Sequence, residues 1–391
     1  MFVLFSWSSE DLIRASATTE PPKIRCQPHK SVAFIKTHKT GSTTLRGPLQ
    51  KFAIRNNLTV LVSRTFDHIG WPYEFIPGVS SMKSDIPINS ILNHMIYNKT
   101  TLSMVMDPST KYITVIREPV THLISCYNYF GLNENFRLGQ GLDAFRKFLS
   151  DPKKYDKNPD WLQNLIDGPK NDSHIRSSTR NLQSADLGLK YKHFDTPIAI
   201  RLFTKEIERD FELLLVTDRL DESLVLLRRL LCWKMEDIVY YTVNKWVNTG
   251  WSAKNLTEGD RERAREWSNV DTMLYDIANR QLNEKIAKQV NFQKEVTQFR
   301  FINHVVAQFC SNFDQSDLGR KNVDSTTVTQ KLWVPSSEFH EGFDLDKKFC
   351  HQLTMREEDV TLFLRCKQFP DYPDCLKGQE MVQQVSDLIQ P

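Results

Sequence analysis

Short apolar runs alternate along the chain with longer stretches whose apolar residues recur at helical spacing. Residues 31–35 (SVAFI) have the length and character of a buried strand, residues 36–44 (KTHKTGSTT) are polar, and residues 45–57 carry apolar positions three and four apart. This unit reads as strand, tight loop, helix. Residues 58–63 (LTVLVS) predict a second strand, whereas Ile88, Ile91, Leu92 and Met95 within residues 86–97 fit either a strand or a helix. A β-rich run at residues 111–116 (KYITVI) stops at Arg117, Glu118 and Pro119, and residues 120–130 again have a helical pattern. Residues 211–216 (FELLLV) predict a further strand, followed by a helix over residues 224–231. Strands alternating with helices imply an α/β fold with a parallel sheet covered on both faces and ligands at the carboxyl ends of the strands. Residues 258–289 are highly charged and predict long surface helices; residues 314–341 are polar and predict loop. The chemistry is therefore expected within the first 235 residues.

Composition narrows the function classes. At 391 residues, 40% apolar and 25% charged, the chain is an ordinary folded protein, and no composition break marks a linker. Fifty-one basic against 48 acidic residues leaves no single-sign excess of the kind a general nucleic-acid binder uses, so any anion site is local. No run approaches the roughly 20 apolar residues that cross a bilayer, and the apolar start, Met1 to Phe5, is too short for a signal peptide core. Seven cysteines and four glycosylation sequons, at Asn57, Asn98, Asn171 and Asn255, tilt the reading toward a secretory compartment. The cysteines show no CxxC pair or zinc spacing, so no metal site is expected. Cys126 and Cys232 lie in apolar segments and read as buried thiols, while Cys310, Cys350, Cys366 and Cys375 are disulfide candidates.

The loop after the first strand carries the clearest chemistry. A helix opening behind such a loop presents free backbone N–H groups and the positive end of its dipole, a natural cradle for an oxyanion. Lys39, Thr40, Gly41, Ser42, Thr43 and Thr44 add an ammonium, four hydroxyls and a glycine that admits close backbone approach. A Walker loop is excluded by order, because Lys39 precedes the glycine. At the second strand tip stands Arg117, where a magnesium-dependent nucleotide hydrolase needs an acid, with the Ser125 hydroxyl two helical turns further on. Together they suit a second phosphate. Two anion sites at strand ends without a metal ligand fit a doubly anionic nucleotide whose transferable group is sulfuryl.

Residues 34–45 (FIKTHKTGSTTL) resemble the 5′-phosphosulfate loop, and residues 114–119 (TVIREP) through Ser125 the 3′-phosphate motif, of the Golgi galactose-3-O-sulfotransferases. Similarity continues in residues 93–95 (NHM), 221–227 (DESLVLL) and 231–237 (LCWKMED). The resemblance implies the P-loop-like fold of sulfotransferases dependent on 3′-phosphoadenosine 5′-phosphosulfate, with a single domain over residues 30–391. Within it, residues 30–240 would form the nucleotide-binding α/β core and residues 241–391 a helical and loop elaboration. Residues 1–29 would be a stem or an incomplete anchor region of a type II Golgi membrane protein. The implied acceptor is the 3-hydroxyl of a β-galactose on a galactosylceramide-like glycolipid or a glycan. Carried onto this chain, Lys39 stabilises the departing oxygen, Lys36, His38 and Thr40 to Thr44 line the phosphosulfate, and Arg117 with Ser125 hold the 3′-phosphate. Gly41 stands where alanine is common in the family, and Ile96 where arginine is expected. The sugar hydroxyl must lose a proton, and His94 is the expected base, with His38 shaping the loop and His122 packing.

Overall fold

The computed structural model describes residues 26–64, 68–155, 180–242, 251–313 and 331–373, with Cys375 and Gln383. Its centre is a parallel sheet of five strands: β1 (Val32–Ile35), β2 (Val60–Leu61), β3 (Ser90–Ile91), β4 (Lys111–Ile116) and β5 (Phe211–Val216), in spatial order β2-β3-β1-β4-β5. β1, β4 and β5 are buried on both faces, which is why their sequences are continuous apolar runs. The chain leaves β1 toward one edge, returns, and lays β4 on the other side of β1. The strand order thus reverses between β1 and β4, and the crevice outside their carboxyl ends is where open α/β sheets bind ligands.

Each central strand feeds a helix: α1 (Ser42–Arg55) after β1, α2 (Pro119–Tyr129) after β4. α3 (Gly141–Ser150) packs with α2 on a second apolar cluster built around Phe145, Phe148 and Trp267. The short α4 (Leu182–Asp186) and α5 (Pro197–Asp210) precede β5, and α6 (Leu220–Leu231) follows it. α7 (Glu258–Trp267), α8 (Asn269–Ile286) and α9 (Phe292–Cys310) come next, then a hairpin of β6 (Lys331–Val334) and β7 (Phe343–Asp346), α10 (Lys347–Thr354) and α11 (Glu357–Gln368). α10 lies along α1. Gly47 permits that approach: a Cβ there would sit 2.8 Å from the Leu353 carbonyl oxygen.

Four expectations change. The second strand shortens to Val60–Leu61, and the ambiguous segment 86–97 becomes β3 plus an extended continuation whose His94 bridges Lys36. α8 is not a surface helix: Val270, Leu274, Ala278 and Leu282 form a buried stripe against β5 and the core, so the high charge of that segment hid a normal amphipathic face. Residues 331–334 are strand rather than loop, while residues 314–330 lie outside the described residues. Cys232 is not a thiol. It stands at the carboxyl cap of α6 in the left-handed region (φ 57°) and pairs with Cys26; Cys310–Cys350 and Cys366–Cys375 are also disulfides, and Cys126 is free and buried. Among the described residues no helix is long and apolar enough to cross a membrane; residues 1–25, including the expected anchor remnant, are outside them.

Candidate active site

β1 ends where its residues stop being apolar, and the chain turns sharply over residues 37–41. Thr37 and Thr40 are fully buried and bonded to each other, Oγ1 to Oγ1 at 2.8 Å, and Thr37 Oγ1 also reaches the Val115 carbonyl at 2.7 Å. Ser42 Oγ donates to the Thr37 carbonyl at 2.7 Å, and Thr217 Oγ1 donates to the Thr40 carbonyl at 2.7 Å. The hydroxyls of Thr40 and Ser42, expected on the ligand, are engaged inside the loop; what these residues can turn toward an anion is backbone N–H, with Thr43 and Thr44 half-buried beside them. Lys39 (φ 57°) and Gly41 (φ 78°) both take left-handed backbone, the alternation that curls successive N–H groups into an anion nest. Gly41 caps α1 without a side-chain hydrogen bond, and no acidic residue lies in the first turn. The positive end of α1 is therefore left for an external anion.

Lys36 does not line this cradle. Its buried ammonium is ion-paired with Glu357 at the start of α11, whose carboxylate also lies 3.8 Å from Arg46. Lys39 points the other way, its ammonium 3.5 Å over the Tyr129 ring at the end of α2. Burial pulls the Lys39 pKa below its ordinary value, and the neighbouring Arg117 charge acts in the same direction. Arg117 extends from the tip of β4 across the crevice: Nη1 donates to the Lys39 carbonyl at 3.0 Å and Nε to Thr121 Oγ1 at 3.3 Å. Its main chain is clamped by Gln183, which accepts from Arg117 N–H at 2.8 Å and donates to its carbonyl at 3.1 Å, replacing a neighbouring strand. Ser125 is buried one turn before Tyr129 on the same helix. Lys39, Arg117 and Ser125 thus share one end of the sheet, over adjacent strands.

On the opposite flank the rings of His38 and His94 stack at 3.9 Å between centroids, with Trp71 at 4.4 Å from His38 and His68 at 5.5 Å from His94. His94 Nδ1 lies 3.1 Å from the Lys36 carbonyl, which can only accept, so Nδ1 carries the proton and Nε2 the lone pair. Burial, then the charges of His38, Lys36 and His68, hold its pKa well below the ordinary value. His94 is neutral near pH 7. His38 Nδ1 lies 2.9 Å from the Asp186 carboxylate, which can only accept, so this nitrogen carries a proton. His122 packs as expected: wholly buried, it is pushed down to about 3 by desolvation, and its Nε2 meets the His38 carbonyl at 2.9 Å.

Sequence reasoning missed Asp186, Trp71, Gln183 and Glu357. Asp186 is completely buried at the end of α4 and accepts from His38 N–H at 2.7 Å and Trp71 Nε1 at 3.0 Å. The available signal was an acid enclosed by leucines in residues 182–189 (LQSADLGL), a place where a carboxylate persists only with partners. Ile96 adds no charge to the site; it bridges Glu74 at the edge. Among the described residues no cluster of three or more His, Cys, Asp or Glu side chains is arranged for a metal ion.

An uncapped helix behind a lysine-bearing turn, an arginine on the adjacent strand and imidazoles alongside define an α/β transferase with the sulfotransferase fold. The chain belongs to the galactose-3-O-sulfotransferase family, whose model matches residues 4–356. It is 31% identical over 357 residues to human (Homo sapiens) galactose-3-O-sulfotransferase 2, covering 88% of this chain and 85% of that one. To Mus musculus galactose-3-O-sulfotransferase 2 it is 28% identical over 367 residues, covering 90% and 88%. To Bos taurus galactosylceramide sulfotransferase it is 28% identical over 314 residues, covering 79% and 69%.

Proposed function

We propose that this chain transfers a sulfuryl group from 3′-phosphoadenosine 5′-phosphosulfate to the 3-hydroxyl of a β-linked galactose on a glycolipid or a glycan. The observation that carries the reading is the arrangement at the strand-order reversal, where the unsealed start of α1 with Lys39 and the Arg117 guanidinium lie on one side of the loop and the His38–His94 pair on the other. The phosphosulfate rests on the α1 backbone and Lys39, and the 3′-phosphate on Arg117 and Ser125. Among the described residues two of the five Arg117 N–H donors are held by protein, leaving the second Nη1 hydrogen and both Nη2 hydrogens for phosphate.

In the reaction the galactose O3 forms a bond to sulfur as the bond from sulfur to the bridging oxygen breaks. The O3 proton passes to Nε2 of neutral His94, and 3′,5′-diphosphoadenosine leaves with its new charge beside the Lys39 ammonium. The phosphoryl-transfer alternative is disfavoured by Glu118, the acid next to the β4 tip: its carboxylate is taken up by the Val120 and Thr121 N–H groups. Three disulfides, and sequons at Asn57 and Asn255 that are exposed, fit an oxidising lumen of the secretory pathway such as the Golgi.

The test is a panel of β-galactosides on lipid, oligosaccharide and protein carriers assayed with sulfate-labelled donor. Transfer to O3 is expected with wild-type chain and not with Lys39→Ala. Transfer from ATP, or nucleotide binding without turnover on any galactoside, would overturn it in favour of a kinase or a non-catalytic glycan-binding relative.

A further inference from the structure

The site described so far grips a donor and supplies a base, but a sugar must also be oriented, and the chain has many aromatic side chains. Most of the large ones are core. Of the exposed ones, Tyr129 lies under Lys39 on the donor side and Trp333 sits on the distant β6–β7 hairpin, against Gly342. Trp71 differs from both. It is half-buried, its ring lies 4.4 Å from that of His38 and 5.3 Å from that of His68, and its segment is hooked to the His94 strand by the Ile69 N–H bond to the His94 carbonyl (2.7 Å) and the His68–His94 and Glu74–Ile96 bridges.

We propose that Trp71 is the stacking platform for the acceptor galactose, and that Asp186 is the positioning residue that locks this platform to His38 at a fixed angle. The inference rests on the reading of the acceptor as a galactoside. The axial 4-hydroxyl of galactose leaves the C3, C4 and C5 hydrogens as one apolar face that stacks on an indole, while the 3-hydroxyl projects from the edge of the ring. A sugar lying on Trp71 therefore presents O3 sideways, toward the imidazole edges, instead of face-on. One buried carboxylate sets that geometry: Asp186 takes the His38 main-chain N–H at 2.7 Å, the His38 ring nitrogen at 2.9 Å and the Trp71 indole N–H at 3.0 Å. Rotation of the indole away from His38 breaks its bond to a fully buried acid, so the platform is pre-organised before sugar arrives.

Trp71→Ala, Trp71→Leu, Trp71→Phe and Asp186→Asn should be compared with wild type by saturation-transfer NMR of methyl β-galactoside on protein saturated with 3′,5′-diphosphoadenosine, by acceptor kinetics, and by calorimetry of the nucleotide. Trp71→Ala and Trp71→Leu are expected to lose the galactose ring-proton signals and to raise acceptor KM about tenfold, with nucleotide Kd within twofold. Trp71→Phe, which restores an aromatic face, recovers most of the KM; Asp186→Asn raises KM and lowers kcat together at unchanged nucleotide Kd. Wild-type signals and KM in Trp71→Leu overturn the platform, and unchanged acceptor kinetics in Asp186→Asn overturn its role. Galactoside saturation transfer that needs Trp71, in a wild-type protein that transfers no sulfate, upholds the platform and sinks the proposed reaction. Absence of any galactoside signal in wild type sinks both.

Discussion

The two strand–loop–helix units look alike in sequence and are opposite in construction. After β1 the chain passes through two left-handed residues, and α1 begins at Gly41 with neither a capping side chain nor an acid in its first turn. After β4 the chain stays extended, α2 begins with Pro119, and the Glu118 carboxylate accepts from the Val120 and Thr121 N–H groups at 3.2 and 2.8 Å. The first helix end is open to an outside anion, whereas the second supplies its own. What the second unit offers instead is a guanidinium on the strand tip, anchored by Gln183 and reaching back across the first loop to the Lys39 carbonyl. On the proposed reading one end of a doubly charged nucleotide meets backbone and the other a side chain, and substitutions in the two units should fail in different ways.

The largest effects fall on turnover. Lys39→Ala and His94→Ala are each expected to lower kcat by about 10²–10⁴-fold while 3′,5′-diphosphoadenosine affinity, read by calorimetry, stays near wild type. The His94 environment adds a sign. A base must be neutral to act, and burial with Lys36, His38 and His68 around it holds this imidazole neutral to well below pH 6.5, so activity persists as pH falls through 6.5 and is lost only at lower pH. A kcat/KM profile with its acid limb at about 6.5 would move the base to another group. Arg117→Ala comes next and acts on binding. Loss of the desolvated guanidinium should weaken diphosphoadenosine by about 2–5 kcal/mol, and Arg117→Lys should recover only part of it, since an ammonium lacks the planar fork. Equal loss of kcat in all three variants at unchanged nucleotide affinity would erase the distinction between the units.

The contrast also explains what could be read in advance. β4 and β5 were legible to the residue because strands covered on both faces are continuous apolar runs bounded by charge and proline. The placement of Lys39 and Arg117 at the carboxyl end of the sheet was legible because they follow such runs. The supports were not, since they come from far along the chain: Glu357 reaches Lys36 across 321 positions and Asp186 reaches His38 across 148, and neither lies in a spaced motif. The candidate side chains themselves all lie before residue 235, and it is their support that extends beyond it: α11 braces the ends of β1 and β3 through Glu357, paired with Lys36, and through Thr361, whose hydroxyl accepts from Asn93 Nδ2 at 3.1 Å. Cys232 was misread because an apolar neighbourhood says nothing of a helix cap facing another segment. Glu118 is the subtler case, an acid beside the anion site whose charge serves the helix it precedes.

The smallest predicted effects give the sharpest comparison, because Gly41→Ala and Glu118→Ala both disturb a helix start. Space is no obstacle at the first position, since a Cβ at Gly41 would meet Thr217 Cγ2 at an ordinary 3.6 Å. The cost lies in the backbone: φ of 78° is left-handed, and an L side chain there is strained by roughly 1–2 kcal/mol. If the loop relaxes toward right-handed backbone to relieve that strain, the N–H groups turn away from the anion, so Gly41→Ala should lower both the unfolding midpoint and diphosphoadenosine affinity, the latter severalfold. Glu118→Ala removes a cap worth about 1 kcal/mol and should lower the unfolding midpoint by a similar amount while leaving nucleotide affinity within twofold. Matched denaturation and calorimetry on the two variants decide between them. If Glu118→Ala weakens the nucleotide as much as Gly41→Ala does, the start of α2 is part of the anion site and the two units are built on one plan after all.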